Sequence, residues 1–215
     1  MYKRQVGNHR NILVSNQSGT ASILAKLNNL KIKAAKDKIK ELVQLVKDKE
    51  AQGFSYDLAD SSFALLAYNL FYGLPSFFKL ESYKVINEKY QNSRGEWVSS
   101  SDAILKLEVF GKKVLSVAEG NGPVSALDSA FRKLLTTHYP VLSQSKLSDY
   151  KVRILDSKDG ADAVIRVLVE TTDNKGNRWV SVGVGSDIID ASFMALNDAI
   201  NYFCLLYTSD AADES

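Results

Sequence analysis

Two glycines, Gly120 and Gly122, lie where a strand-like segment, "SVAEG", gives way to a helix-like one, "PVSALDSAFRKLL". Free N–H groups at a helix N-terminus attract anions, and a residue without a Cβ atom lets a ligand approach them. The stretch lacks both the Lys-Ser/Thr of a P-loop and the third glycine of a dinucleotide-binding motif. Two interpretations remain open: a site for a small anion such as an amino-acid carboxylate, or a plain turn with Pro123 at the first helical position.

Other reactive side chains do not assemble into a catalytic set. The hydroxyls of "SNQSG", residues 15–19, have no histidine or lysine base at a recognisable spacing. His9 and His138 are lone histidines, for which a solvated or capping role is expected. Tyr150 is expected to lie half in the core, with its hydroxyl available as a hydrogen-bond donor. No acid, base and electrophile come together, so independent catalysis is not expected.

The composition limits the classes of partner. The 215-residue chain has 27 Lys and Arg against 25 Asp and Glu, and the basic residues are not clustered. Nucleic acid and anionic membranes are therefore poor partners. No apolar run reaches the ~20 residues of a membrane span, and the start lacks a signal-peptide core, so a soluble, cytoplasmic protein is expected. With one cysteine, Cys204, and two histidines, neither a disulfide framework nor a metal site is expected.

Both ends of the chain look foreign to the rest. "MYKRQ", residues 1–5, and "CLLYTSDAADES", residues 204–215, resemble the translation of a transposon-end sequencing adapter. We interpret them as non-native tails, which leaves residues 6–203 as the native segment and implies a gene product truncated upstream. An ordinary polar tail is the alternative.

The first part of the chain has a helical pattern. Apolar residues recur at three- and four-residue spacing from Lys36 to Gln52, which predicts an amphipathic helix ended by Gly53. Ser55 is then the expected N-cap of a second helix that ends at Gly73. The two helices are expected to form a hairpin.

After residue 75 the pattern predicts six strands and two helices, arranged as an internal repeat. Laying Ser116 on Ser181, an offset of 65 residues, aligns strand, glycine and helix face in the two halves. Each half is a β-β-β-α unit whose sheet has one apolar face that the half cannot cover alone. We therefore predict an α+β fold, with a helical linker subdomain followed by a duplicated β-β-β-α domain of pseudo-twofold symmetry.

Several long blocks resemble a known family. "VAEGNGPVSALDSAFRKLL", "LSDYKVRIL", "DAVIRVLVETTD" and "VSVGVGSDIIDASFMALNDAINY" resemble the C-terminal allosteric and dimerisation domain of the 2-isopropylmalate synthase superfamily. The earlier blocks "VGNHRNILVSNQSGTASILAK" and "GFSYDLADSSFALLAYNLFYGLPSFFKLESYKVI" are more narrowly similar to the citramalate synthase family. The blocks follow the family's order and span nearly all of residues 6–203.

The resemblance implies a regulatory fragment that forms a homodimer. The family condenses acetyl-CoA with a 2-oxo acid, pyruvate for citramalate synthases, in a TIM barrel that carries a divalent metal; this barrel is absent here, and no cofactor is expected. Residues 6–75 would be linker subdomains, and residues 76–203 the allosteric domain that binds isoleucine for feedback inhibition. The alternatives are 2-isopropylmalate synthase, with leucine as effector, and a stand-alone amino-acid-binding module.

The resemblance also maps an effector pocket around the glycine turn. Its expected residues are Gly120, Gly122, Val124, Ser125, Leu147, Tyr150, Ile154, Ala161, Ala163, Ile165 and Ile188. Apolar residues would hold a branched side chain, small ones would leave room, and backbone amides would hold the carboxylate. Ser125 departs from the family, where Asp is frequent and could hold the effector's ammonium group, and Ala161 replaces a frequent Thr.

Overall fold

The computed structural model of the chain describes residues 19–73, 77–155 and 163–213, with side chains through Tyr207. The helices are α1 (Thr20–Asn29), α2 (Ile39–Ala51), α3 (Asp60–Tyr72), α4 (Pro123–Leu135) and α5 (Ile188–Asp213). The strands are β1 (Lys79–Gln91), β2 (Trp97–Val109), β3 (Lys112–Gly120), β4 (Ser145–Ile154), β5 (Ile165–Asp173) and β6 (Arg178–Gly185). The fold is α+β, which confirms the class predicted from the sequence.

The start of α3 differs from the prediction. The helix begins at Asp60 with Ala59 as N-cap, so Ser55 is not the N-cap. Tyr56 is buried and its ring meets that of Phe63 edge-on, with centroids 6.2 Å apart. Because this ring packing holds the segment before α3 against the core, the segment does not enter the helix.

Two antiparallel sheets confirm the internal repeat. The first has the order β1-β2-β3 and the second β4-β5-β6. β3 and β6 end at Gly120 and Gly185, and α4 and α5 begin at Pro123 and Ile188. The two strand ends are 65 residues apart, and so are the two helix starts. The strand order and the point at which each helix begins are therefore the same in both units.

The register of the ladders makes the equivalence specific. Each sheet contains a row of directly opposed residues that crosses its three strands. The rows are Tyr83, Leu105 and Ser116 in the first sheet, and Tyr150, Val169 and Ser181 in the second. Equivalent side chains thus point to the same face of each sheet.

The two units share one core. Helix α4 packs on the inner face of the first sheet, and α5 packs on that of the second. The rings of Phe131 and Phe193, 5.3 Å apart, join the two helices. The buried residues of both units consequently form a single apolar cluster. No helix in the described ranges is long and apolar enough to cross a membrane.

Helix α3 packs mainly against α5 and β6, and shares an apolar cluster with α2, its partner in the predicted hairpin. Ser61 Oγ donates to the Val180 carbonyl at 2.6 Å, and the Val182 amide donates to Ser62 Oγ at 3.0 Å. These hydroxyls satisfy backbone groups on the outer edge of β6 and close that edge. A second apolar cluster then joins residues of α1 to α3 to Val182 and Val184.

Candidate functional site

The two glycines of the turn differ in what they require. Gly120 ends β3 so close to α4 that a Cβ atom there would lie 2.3 Å from the backbone nitrogen of Ala126. This close approach by itself demands a glycine. At Gly122 the backbone is extended, with φ −178°, and a Cβ atom would meet nothing within 4 Å. A side chain at Gly122 would therefore meet no steric obstacle, and the space beside this residue is open.

The two helix N-termini that follow the glycine turns are also different. Asp187 Oδ1 accepts hydrogen bonds from the amides of Ile189 and Asp190, at 2.6 and 3.1 Å, and caps α5. Gly122, the counterpart of Asp187 by the 65-residue offset, has no side chain with which to cap α4. The first-turn amides of α4 can therefore bind an anion from outside the chain.

A second group of expected residues lies at one end of the second sheet. Ile154, Ile165 and Gly185 are directly opposed across the three strands. Ile188 follows as the first residue of α5. Ile154 is 62% exposed and Ile188 is 40% exposed, so this end of the sheet presents apolar side chains to the outside.

Tyr150 is tied to the same end of α5. Its hydroxyl lies 2.8 Å from Ser192 Oγ, and Ser192 Oγ donates to the Ile188 carbonyl at 2.5 Å. The single hydroxyl proton of Ser192 is thus used on Ile188, so Tyr150 is the donor in its bond to Ser192. The tyrosine oxygen retains acceptor capacity.

The remaining expected residues vary in burial. Val124, Leu147, Tyr150 and Ile165 are half-buried and pack on the shared core. Ser125 is exposed and Ala163 is half-buried. Ala161 lies outside the described residues.

Two side chains that the sequence analysis did not single out lie beside the start of α5. Tyr83 stacks on Phe193 with ring centroids 4.6 Å apart, and its hydroxyl donates to Asp190. Asp190 is the 65-residue counterpart of Ser125. The carboxylate that the first turn lacks is therefore present at the second, and a position-by-position comparison of the repeats would have found it.

The charges next to Tyr150 are already engaged. Lys151 Nζ lies 2.6 Å from Asp149 Oδ2, and the Tyr150 amide donates to Asp149 Oδ1 at 2.8 Å. The hydrogen bond from Lys151 is the main cause that lowers the pKa of Asp149. Within the described ranges, no group of three His, Cys, Asp or Glu side chains could hold a metal ion.

The family model described as "LeuA allosteric (dimerisation) domain" matches residues 57–204. The chain belongs to this family. The LeuA domain match includes α3 as well as both β-β-β-α units, so the helix that closes the β6 edge lies within the matched region.

Curated relatives of this LeuA domain chain fall into two groups. An (R)-citramalate synthase of Geobacter sulfurreducens is 41% identical over 92% of this chain and 37% of its own length. One of Synechocystis sp. is 38% identical over 94% of this chain and 37% of its own length. A 2-isopropylmalate synthase of Aquifex aeolicus is 28% identical over 88% of this chain and 33% of its own length. The resemblance to citramalate synthases is confirmed, and the chain spans about a third of the length of these relatives.

Proposed function

We propose that the chain is the C-terminal regulatory part of a cytoplasmic citramalate synthase, and that it binds isoleucine for feedback inhibition. The parent enzyme would condense acetyl-CoA with pyruvate in an upstream barrel that holds the divalent metal. The LeuA allosteric family and the higher identity to (R)-citramalate synthases support this assignment. The family's dimerisation role supports a homodimer as the working form.

The observation that carries the proposal is the open N-terminus of α4. An effector carboxylate would accept hydrogen bonds from the amides of Val124 and Ser125, in the position that the Asp187 carboxylate takes at α5. Charge-assisted bonds of this kind are roughly twice as strong as neutral ones. The open space beside Gly122 gives the carboxylate room.

The apolar residues of the expected pocket suit a branched side chain. Val124, Leu147 and Ile165 are half-buried and already pack on the core, so they would form a firm wall. The Tyr150 oxygen, which donates its own proton to Ser192, would accept from the effector's ammonium group. Since Ser125 supplies no carboxylate, the ammonium group depends on such neutral acceptors, and we expect modest affinity.

Calorimetric titration of the 215-residue chain with isoleucine, leucine and valine tests the proposal. Isoleucine should bind most tightly, although one methyl placement is worth only ~1 to 3 kcal/mol in an apolar pocket. Leucine as the tightest ligand would favour the regulatory part of a 2-isopropylmalate synthase. If none of the three binds to the folded chain, the effector assignment is wrong.

The stand-alone amino-acid-binding module remains the candidate from a different class. Recovery of the complete gene separates it from the proposal, because an upstream barrel with metal-binding histidines would exclude the module. Purified full-length protein should then consume acetyl-CoA with pyruvate, and isoleucine should inhibit that turnover. Loss of inhibition with Gly122→Val, at unchanged turnover without isoleucine, would tie the glycine turn to regulation.

A further inference from the structure

The outer edges of β3 and β6 are equivalent, but only the edge of β6 is closed by a helix. The residues of β3 that correspond to Val180 and Val182 are Leu115 and Val117. They present their backbone groups to the outer edge, because alternate residues of a strand point their N–H and C=O groups to the same side. Lys133 Nζ donates to the Val117 carbonyl at 3.0 Å in an exposed contact. In the described part of the chain, no helix packs along this edge as α3 does along β6.

A buried hydroxyl marks the same difference. Ser181 Oγ in β6 lies 2.8 Å from Ser61 Oγ of α3. Ser116, its counterpart in β3, is buried, and its Oγ has no hydrogen-bond partner among the described residues. A buried polar group without a partner is costly, so each one in a native structure needs an explanation. At the closed edge of β6 the Ser181 hydroxyl has a hydrogen-bond partner. At the open edge of β3 the equivalent Ser116 hydroxyl has none among the described residues.

The side chains of β3 are complementary to a second copy of themselves. Leu115 is 60% exposed and Val117 is 46% exposed on the outer face of the sheet. Lys113, whose Nζ lies 2.7 Å from Glu81 Oε2 in an exposed ion pair, lies near the start of the strand, and Glu119 lies near its end. If two copies of β3 run antiparallel about Ser116, Leu115 lies opposite the partner's Val117, and Lys113 lies opposite the partner's Glu119. Apolar residues then meet apolar residues, and opposite charges meet.

We propose that β3 of one chain pairs antiparallel with β3 of a second copy about a twofold axis at Ser116, which joins the two first sheets into one continuous sheet. Leu115 and the partner's Val117 exchange backbone hydrogen bonds, since both point to the outer edge. The two Ser116 hydroxyls face each other and supply the missing partner. Lys133 gives up the Val117 carbonyl to the partner's amide. The inference rests on the proposed homodimer and names its surface.

Charge reversal tests the register. The full chain and its K113E, E119K and K113E/E119K variants are compared by analytical ultracentrifugation over a concentration series. Each single variant places two like-charged pairs in the interface, so the dimer dissociation constant should rise by about three- to tenfold. The double variant restores both pairs and should return within about twofold of wild type. Rescue in the double variant is not expected if Lys113 and Glu119 act independently.

Proline at the edge tests the strand pairing itself. Val117→Pro removes one N–H group that faces the outer edge, and proline is tolerated at such edge positions. The variant should be monomeric with a thermal midpoint close to that of wild type at low concentration. Ile86→Lys is the matched control, because Ile86 is exposed on β1, the opposite edge strand of the same sheet. Ile86→Lys should leave a dimer that pairs through β3 intact. A dimer formed by stacked outer faces of the sheets should instead dissociate.

The outcomes separate this inference from the proposed homodimer. A wild-type chain that is monomeric at all concentrations would overturn the homodimer and the inference together. A wild-type dimer that withstands both V117P and the charge reversals would leave the homodimer standing and overturn pairing through β3. If V117P fails to fold, the charge-reversal series decides the question alone.

Discussion

Gly122 and Asp187 occupy the same position in the two repeats, and only Asp187 caps the helix that follows it. The duplicated units therefore have the same backbone plan but different electrostatics at their helix N-termini. One N-terminus carries its own carboxylate, and the other can accept one from a ligand. This difference suits a regulatory domain, because the amides at the start of α4 can bind an effector, whereas those at the start of α5 are already bonded to Asp187.

Gly122→Asp should give α4 its own cap. The extended backbone at Gly122 suits an N-cap residue, so the substitution should raise the free energy of unfolding by about 0.5 to 1 kcal/mol. The same carboxylate should compete with isoleucine for the α4 amides, and affinity should fall at least about tenfold. Thermal unfolding and calorimetric titration measure the two effects.

Gly122→Asn is the control for this change, because it supplies a capping oxygen without a negative charge. Stability should rise in both variants, and the loss of isoleucine affinity should be larger with Asp. A variant that gains stability yet binds isoleucine as well as wild type would contradict an effector carboxylate at this turn.

Alanine substitutions should separate the roles of the two glycines. Gly120→Ala places a Cβ atom 2.3 Å from the Ala126 nitrogen, so β3 and α4 must move apart, and we expect a loss of about 1 to 3 kcal/mol in unfolding free energy. Gly122→Ala meets no atom within 4 Å and should change stability by less than about 0.5 kcal/mol. Urea unfolding of both variants checks this order; equal losses would refute it.

Tyr150→Phe should weaken the chain before any ligand is added. The substitution removes the hydrogen bond to Ser192, which should cost about 0.5 to 1.5 kcal/mol of stability. Ser192→Ala removes the same bond from the other side and keeps the tyrosine oxygen. If that oxygen accepts from the effector, isoleucine affinity should fall with Tyr150→Phe and change less with Ser192→Ala. Equal binding losses would assign the hydroxyl a purely structural role.

Asp198 should make stability depend on pH. Burial is the main cause that raises its pKa from 3.8 to about 6, and Ser62 Oγ donates to its Oδ2 at 2.6 Å. Because the folded-state pKa is the higher one, the stability that this group contributes is complete below about pH 4 and is lost as the pH rises through about 6. Asp198→Asn keeps an acceptor for Ser62 and avoids the buried charge.

The difference in unfolding free energy between Asp198→Asn and wild type should grow from pH 4 to pH 7, to on the order of 2 kcal/mol in favour of the variant. Urea unfolding at four pH values measures it. Glu50, whose pKa burial raises to about 7, titrates in both proteins and cancels in the comparison. A difference that does not change with pH would refute the raised pKa.

Sequence periodicity predicted the elements that are set by local pattern, and the 65-residue offset predicted where both helices of the repeat begin. The start of α3 was missed because the capping signal of Ser55 is local, whereas burial of Tyr56 against Phe63 overrides it. The pairing of α3 with β6 depends on residues 119 apart, Ser61 and Val180, and no local pattern encodes such a contact.

For the site, residue types predicted a glycine turn before a helix with Pro123 in its first turn, and the structure has this arrangement. A Cβ atom is excluded at Gly120 and tolerated at Gly122 because only Gly120 lies close to the α4 backbone. The sequence alone does not give this distance. The cap at Asp187 was within reach, because the offset aligns Asp187 with Gly122. The alignment of strand, glycine and helix face does not by itself predict which of the two helices carries a side-chain cap.

Helix α3 limits how far copies of this chain can assemble. Its serines bond to the edge of β6, the strand equivalent to β3. If copies pair through β3 as we propose, only one of these two edges is free to pair. A shortened chain without α3 would carry both edges, and β3 of one molecule could add to β6 of the next without closing into a ring or a pair. Such a fragment should polymerise into open filaments. On this proposal, α3 limits the assembly of the duplicated sheets to a pair of chains.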